Sequence, residues 1–85
     1  MKNINNKHQE VVEFLLEKVS KRTKVSLDKL TADTNLADVG IDSLNAVLLC
    51  GYLEEEYDLE IEPVIMFEYK TANEVADAIC KMMEE

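Results

Sequence analysis

The sequence is poor in glycine, proline, histidine and tryptophan. Among its 85 residues are two glycines, one proline, one histidine and no tryptophan. The two glycines, Gly40 and Gly51, cannot supply a glycine-rich phosphate-binding loop. The single histidine, His8, lies on the first predicted helix as a surface or boundary residue, so a serine nucleophile elsewhere would lack its base. This composition disfavours a small serine enzyme.

Metal-binding, secretion and membrane-span patterns are also lacking. Cys50 and Cys80 both lie in helical patterns without metal-ligand spacing. Each is therefore predicted to be a small buried hydrophobe in a reduced cell interior, without a disulfide. No apolar run approaches the ~20 residues of a membrane span, and residues 1–7 lack the hydrophobic core of a signal peptide. We expect a cytoplasmic protein that binds no metal and does not span a membrane.

Length and charge narrow the class of protein further. Eighty-five residues predict one domain, residues 1–85, with a single modest core and no cleft between lobes; we expect a monomer. Residues 1–30 carry a net charge of +3 and residues 31–85 carry −12, which gives −9 overall. This acidity disfavours nucleic acid as a partner. The acidity favours partner proteins that carry basic patches. Alternatively, it only keeps the domain soluble.

The first predicted element is an amphipathic helix. One face follows the i, i+3, i+4 rule at Ile4, His8, Val11, Val12, Leu15, Leu16 and Val19. The helix stops in the polar run 20–24, and the chain to Ile41 is long for a loop in a small domain. Apolar anchors are spaced along this segment at Val25, Leu27, Leu30, Leu36, Val39 and Ile41. We therefore expect an ordered crossover with a short helical turn near Leu27–Leu30.

The second predicted helix runs from Ser43 to Tyr57 and has two apolar sets. One set is Ala46, Leu49, Cys50, Leu53 and Tyr57, and the other is Leu44, Val47, Leu48 and Tyr52. A helix of a small bundle needs only one apolar face for the core. The surplus set indicates either a helix buried nearly all round or a face that meets partners or a bound chain. The second interpretation is favoured, because too few other elements exist to cover both faces.

Two further helices are predicted after the second one. Pro63 precedes the apolar run 64–67, as in a short helix that opens with proline in its first turn. Residues 71–74, Thr-Ala-Asn-Glu, form a capping box at the start of a last helix. The core stripe of that helix is Ala72, Val75, Ala76, Ile79, Met82 and Met83. The predicted fold class is therefore all-α, with three main helices, one short helix and no strands.

The segment Gly40-Ile41-Asp42-Ser43 leads directly into the second predicted helix. Free N–H groups and the positive end of the macrodipole would favour a phosphate attached to Ser43 at that helix start. The alternative is that Asp42 or Ser43 only caps the helix. Ser43 has no visible means of activation, so chemistry on it would have to be supplied by another protein.

Two parts of the sequence match a known pattern. They are the run Asp38-Val39-Gly40-Ile41-Asp42-Ser43-Leu44 and the end of the apolar helix that follows it, Leu53-Glu54-Glu55-Glu56-Tyr57. Together they resemble the acyl carrier protein family. Chain length, acidity and helix order agree with this resemblance, which spans essentially the whole chain. It implies an acyl-carrier-like four-helix bundle with a long ordered loop between helices 1 and 2.

The resemblance also implies a function, which is to carry acyl intermediates between enzymes rather than to catalyse a reaction. Ser43 would receive 4′-phosphopantetheine from coenzyme A through a phosphopantetheinyl transferase, and the thiol of that arm would hold the cargo as a thioester. Asp42 would orient the serine and help bind the transferase, and Leu44 would dock on the transferase. Acyl-loading and acyl-processing enzymes would be the other partners. The expected partner-recognition residues are Asn45, Val47, Leu48, Tyr52, Glu54 and Glu55.

Two departures from the family pattern bear on the pathway. First, fatty-acid carriers usually have acidic residues at the positions of Asn45 and Leu48. Second, residues 63–71 resemble a Pro-x-x-x-Phe-x-x-Pro-Thr stretch of polyketide and peptide carriers, with Lys70 in place of the second proline. Both favour a specialised pathway over housekeeping fatty-acid synthesis. The alternatives are an aminoacyl or peptidyl carrier loaded by an adenylating enzyme and an unmodified helical interaction module. We also expect a medium-length acyl chain to enter the bundle between the second and later helices, near Ala46, Cys50, Ala76 and Ile79; the alternative is a fully packed interior.

Overall fold

The computed structural model describes residues 6–84, which form four α-helices and two short 3₁₀-helices. The α-helices are α1 (Asn6–Thr23), α2 (Ser43–Tyr57), α3 (Ile65–Glu68) and α4 (Ala72–Glu84), and two 3₁₀-helices span Leu27–Lys29 and Leu36–Val39. In this part of the chain the only β-type pairing is an isolated bridge between Asn35 and Thr71. The predicted all-α class, with three main helices and one short helix, is confirmed. Ile4, predicted for the first helix, lies outside the described residues.

The core is formed by one apolar stripe from each long helix. The buried side chains of α1 are Val11, Val12, Leu15, Leu16 and Val19, those of α2 are Ala46, Leu49, Cys50 and Leu53, and those of α4 are Ala72, Val75, Ala76 and Ile79. Each set follows the predicted helical spacing. Ile65 and Met66 of α3 close the core from the side. No helix among residues 6–84 has the length and apolar character to cross a lipid bilayer.

The long connection between α1 and α2 is ordered by local caps and by backbone bonds to a distant segment. Ser26 and Asn35 cap the two 3₁₀-helices through their side-chain oxygens. The Leu36 N–H donates to the Lys70 carbonyl at 2.9 Å, which fixes the second 3₁₀-helix against the α3–α4 connection. The predicted short turn is present, whereas Leu27, expected to be an anchor, is 48% exposed. Leu30 and Leu36 are the buried anchors of this segment.

The capping box of α4 differs in one bond from the predicted arrangement. Thr71 Oγ1 accepts a hydrogen bond from the Glu74 N–H at 3.2 Å, as expected. The Glu74 carboxylate accepts from the Lys70 N–H at 2.8 Å, one residue before the Thr71 N–H that a standard box would engage. The bond therefore also holds the connection to which Leu36 is tied.

Candidate functional site

The start of α2 is built by a tight turn at the end of the second 3₁₀-helix. Gly40 has a φ of +104°, in the left-handed region that favours glycine, and its N–H donates to the Ala37 carbonyl at 3.1 Å. The next residue, Ile41, donates its N–H to the Leu36 carbonyl at 3.1 Å. These bonds fix the direction in which the chain enters α2 at Asp42.

Asp42 is the N-cap of α2. Its backbone is extended, and its Oδ1 accepts a hydrogen bond from the Asn45 N–H at 2.9 Å. The Asp42 carbonyl accepts the first helical bond from the Ala46 N–H at 2.8 Å. The carboxylate thus satisfies one of the free N–H groups of the first turn and places a negative charge at the positive end of the helix.

Ser43 is the first helical residue and its side chain is exposed. Of the two residues expected as possible caps, Asp42 is the cap and Ser43 is not, because the cap bond comes from Asp42. Within residues 6–84 the Ser43 hydroxyl takes part in no hydrogen bond that would have to be broken for it to react. An exposed, free hydroxyl at a helix N-terminus is suited to become a phosphodiester, because the adjacent N–H groups and the macrodipole favour the anion.

A cleft opens beside Ser43 between the start of α2, the second 3₁₀-helix and α3. Its volume is about 410 Å³. Its apolar lining comes from Leu36, Ala37, Ile41, Ala46, Met66, Phe67 and Tyr69. Of the four residues expected to admit an acyl chain, only Ala46 lines this cleft, while Cys50, Ala76 and Ile79 are buried elsewhere in the core. The open apolar space therefore lies nearer to Ser43 than the sequence suggested.

The surplus apolar set of α2 forms an exposed face next to Ser43. Leu44 and Val47 are 67% and 46% exposed, while Leu48 and Tyr52 are half-buried. No charged residue occurs between positions 43 and 53. The first three turns of α2 thus present an uncharged, largely apolar surface.

The glutamates at the end of α2 differ in their surroundings. Glu54 is half-buried, and its carboxylate accepts a hydrogen bond from the Ile61 N–H at 2.8 Å. This bond holds the segment after α2 against the helix. Glu55, by contrast, is exposed and forms no side-chain hydrogen bond within residues 6–84.

Three side chains of α1, spaced four residues apart, meet α2 along one seam. Phe14 packs edge-on against Tyr57 with ring centroids 5.8 Å apart. Lys18 Nζ lies 5.2 Å from the centroid of the Tyr52 ring, and Arg22 Nε donates to Asn45 Oδ1 at 3.0 Å. The contacts of Lys18 and Arg22 with α2 were not predicted from the sequence, although the i, i+4 spacing of these residues after Phe14 is visible there.

The two cysteines are unpaired, and neither lines the cleft beside Ser43. Cys50 Sγ donates to the Ile61 carbonyl at 3.2 Å, and burial followed by the charge of Glu54 raises the pKa of its thiol. Burial followed by the charges of Asp77 and Glu84 raises the pKa of the Cys80 thiol. Because both thiols hold their protons tightly, they are poor nucleophiles at neutral pH.

His8 lies away from the serine and pairs with α4. Its Nε2 lies 2.9 Å from Asp77 Oδ1, and His8 is not part of the cleft lining. The predicted boundary position agrees with its half-buried side chain. Across the described range, no group of three or more histidine, cysteine or acidic residues could hold a metal ion.

Comparisons with known proteins agree with this geometry. A family model described as "Phosphopantetheine attachment site" matches residues 13–79. The chain is 34% identical over 73 residues to the non-reducing polyketide synthase terA of Aspergillus terreus, covering 85% of this chain and 4% of that protein. It is 36% identical over 74 residues to a chloroplastic acyl carrier protein of Brassica napus, covering 81% of this chain and 55% of the relative. The chain thus spans only part of the length of both relatives.

A solved structure is similar over nearly all of both chains. It is a free-standing peptidyl carrier protein from an uncharacterised secondary metabolic pathway of Acinetobacter baumannii, with a TM-score of 0.85 and 25% identity. The match covers 93% of this chain and 99% of the other.

Proposed function

The chain belongs to the phosphopantetheine-binding carrier family, and we propose that it serves as an acyl carrier of a specialised, polyketide-type pathway with Ser43 as its attachment site. Domains of this family carry a covalently bound 4′-phosphopantetheine and interact with a phosphopantetheinyl transferase and biosynthetic enzymes. The observation that carries the choice of residue is the exposed, unengaged hydroxyl of Ser43 behind the Asp42 cap.

The residues around Ser43 fit such a group. Asp42 holds the first turn of α2 through its bond to the Asn45 N–H, so the hydroxyl of the next residue projects from a fixed helix end. The helix N-terminus stabilises a phosphodiester anion at Ser43. When bound, the arm supplies a terminal thiol that carries an acyl group. Ala46 and Met66 of the adjacent cleft offer apolar surface that would shield part of that acyl group from water.

The exposed face of α2 is the proposed docking surface for partner enzymes. Leu44 would contact the transferase, as its exposure and its position next to Ser43 allow. Val47, Leu48 and Tyr52 would extend the contact along the helix, with Asn45 and Glu55 at its edges. Glu54 would act mainly by fixing the following segment, because its carboxylate is engaged with the Ile61 N–H.

A specialised pathway is supported by two kinds of observation. The uncharged stretch 43–53 departs from the acidic helix usual in fatty-acid carriers. Several similar proteins are polyketide synthases, among them terA and the norsolorinic acid synthase stcA of Emericella nidulans, which is 45% identical over 47 residues. The Acinetobacter baumannii peptidyl carrier structure favours a second candidate, an aminoacyl or peptidyl carrier.

Carrier domains are not catalytic themselves, and we propose that this chain has no activity of its own. His8, its only histidine, pairs with Asp77 instead of approaching Ser43. A single domain over residues 1–85, a monomeric state and a cytoplasmic location stay predictions. The chloroplastic relative gives the location no support.

The attachment is tested by incubating the protein with coenzyme A and a broad-specificity phosphopantetheinyl transferase, followed by intact mass spectrometry. Wild type should gain one phosphopantetheine, and Ser43→Ala should gain none. Ser26→Ala is the matched control, because Ser26 is also exposed and also lies at a helix start. Loading of Ser43→Ala, or failure of wild type and Ser26→Ala to load, would contradict the proposal.

The cargo class is tested on the loaded protein. Acyl-ligase and adenylating enzymes are offered in parallel, and the thioester products are identified by mass. Acyl loading without aminoacyl loading supports the acyl carrier, and the reverse result supports the peptidyl carrier.

A further inference from the structure

We propose that Lys18 and Arg22 make one rim of the α2 docking face cationic, so that it fits a partner enzyme surface that is apolar at its centre and acidic at the matching rim. This inference rests on the proposed function and specifies the chemistry of its partner. The net charge of residues 31–85 favours partners with basic patches. At this rim, by contrast, we expect the partner to be acidic.

The position of the rim follows from the antiparallel packing of α1 and α2. Lys18 and Arg22 are separated by one helical turn, so they project from the same side of α1. Lys18 lies over Tyr52, and Arg22 bonds to Asn45. Both cations therefore border the part of α2 that begins two residues after Ser43.

The two cations are held in place without being neutralised. Arg22 uses only Nε in its bond to Asn45, which leaves the other guanidinium N–H groups free to bind a carboxylate. Lys18 Nζ lies 5.2 Å from both the Phe14 and the Tyr52 ring centroids, which are neutral partners. Neither cation forms an ion pair with a carboxylate in the described part of the chain.

The surrounding charges confine this rim to one edge. Asp38 and Asp42 precede Ser43 in the chain, in the second 3₁₀-helix and at the N-cap of α2, and the Asp42 carboxylate is engaged with the Asn45 N–H. Glu55 and Glu56 follow Tyr52 by one helical turn, at the end of α2 and away from Asn45. Residues 43–53 carry no charge, and the cations that contact this part of α2 are Lys18, over Tyr52, and Arg22, bonded to Asn45.

A partner that buried this rim with basic groups would face like charges, which costs free energy and disfavours the complex. Carboxylates at the same place would gain charge-assisted bonds from a guanidinium that Asn45 already orients. Among partners that can cover the apolar centre of the face, the rim therefore favours those with acidic groups at the matching position.

The test uses two synthetic amphipathic helical peptides with the same apolar face, one rimmed with glutamate and one with lysine. Each peptide is titrated into the ¹⁵N-labelled protein without the arm, at about 0.15 M salt, which screens the distant charges. The amide shifts of Leu44, Val47 and Leu48 report occupancy of the face. Lys18→Gln/Arg22→Gln should weaken binding of the acidic peptide and strengthen binding of the basic one. The ratio of their dissociation constants should change by roughly fivefold to tenfold.

Lys29→Gln/Lys81→Gln is the matched control, because both lysines are exposed and the net charge changes equally. The inference is overturned if this control changes the ratio as much, if the Lys18/Arg22 variant leaves it unchanged, or if neither peptide shifts the face residues. Shifts of the same amides on dilution without peptide would identify a second copy of the chain as the occupant and would also overturn it. Loading of wild type from coenzyme A is measured separately, so its failure counts only against the carrier function.

Discussion

The cap of α2 gives a prediction that separates stability from modification. Asp42 forms one hydrogen bond from Oδ1 to the Asn45 N–H, and it also carries a charge next to Ser43. Asp42→Ala removes both, while Asp42→Asn keeps an acceptor of the same shape and removes only the charge. The pair of variants therefore distinguishes the cap bond from the carboxylate.

The magnitudes follow from the geometry. Loss of an N-cap acceptor costs about 1 kcal/mol of unfolding free energy, which lowers the Tm of a domain of this size by roughly 5 °C. Loss of the charge alone costs about 0.5 kcal/mol, because the site is exposed and screened. We therefore expect Asp42→Asn to unfold close to wild type and Asp42→Ala to unfold clearly earlier. If the carboxylate also contacts the transferase, both variants should be loaded roughly tenfold more slowly.

Urea unfolding followed by circular dichroism gives the free energies, and timed mass spectrometry gives the loading rates. Ser43→Ala is the control for stability, since Ser43 is not the cap and alanine is the better helix former. The cap argument is refuted if Asp42→Ala and Asp42→Asn lose the same stability, or if Ser43→Ala loses as much as Asp42→Ala.

Further predictions concern the core and the cleft. The buried Tyr57 hydroxyl has no hydrogen-bond partner among the described residues, so Tyr57→Phe should gain up to about 1 kcal/mol in urea unfolding; a loss of that size would contradict this. Burial and the charge of Glu10 raise the pKa of Tyr57 in the folded protein. The free energy of unfolding of wild type therefore does not depend on this group below the ordinary pKa of about 10, and it falls as the pH rises further, because the unfolded chain ionises first. Tyr57→Phe should consequently lose less stability than wild type as the pH rises above about 10. With a thiol reagent at about pH 8, the arm thiol should react within minutes and Cys50 and Cys80 much more slowly, because their raised pKa values leave little thiolate; equally fast labelling of the unmodified protein would refute this. Acyl chains of increasing length on the arm attached to Ser43 should raise Tm by roughly 4 °C per methylene that enters the cleft, and equal Tm values across lengths would exclude use of the cleft.

The helices could be predicted from the sequence because their signals are local. The bounds Ser43–Tyr57 of α2 follow from an aspartate cap before a run of helix formers and from a polar end. The buried stripes of α1 and α4 follow from periodicity alone. The placement of Ser43 at the helix start needed nothing beyond these rules.

The details that could not be predicted depend on distant parts of the chain. The second 3₁₀-helix forms where the Leu36 N–H donates to the carbonyl of Lys70, in the connection between α3 and α4. The local spacing of apolar residues does not indicate this bond. The bond between Arg22 and Asn45 joins positions that lie 23 residues apart. Leu27 has the same apolar character as Leu30 but is exposed, whereas Leu30, whose backbone leaves the 3₁₀-turn in an extended conformation, is buried.

The two apolar sets of α2 differ in burial, and the proposed carrier function gives one a role in folding and the other a role in recognition. Leu49 and Leu53 are fully buried, so truncating either to alanine would cost about 2–5 kcal/mol, a large fraction of the stability of so small a domain. Leu44 and Val47 are largely exposed and contribute little to the core, yet keeping them apolar costs solubility. A monomer gains nothing from that exposure, whereas a carrier gains a surface that several enzymes can cover in turn without charged groups to desolvate. The absence of charge from residues 43–53 is therefore best explained by docking, and it makes Lys18 and Arg22 of α1 the residues that can distinguish one partner from another.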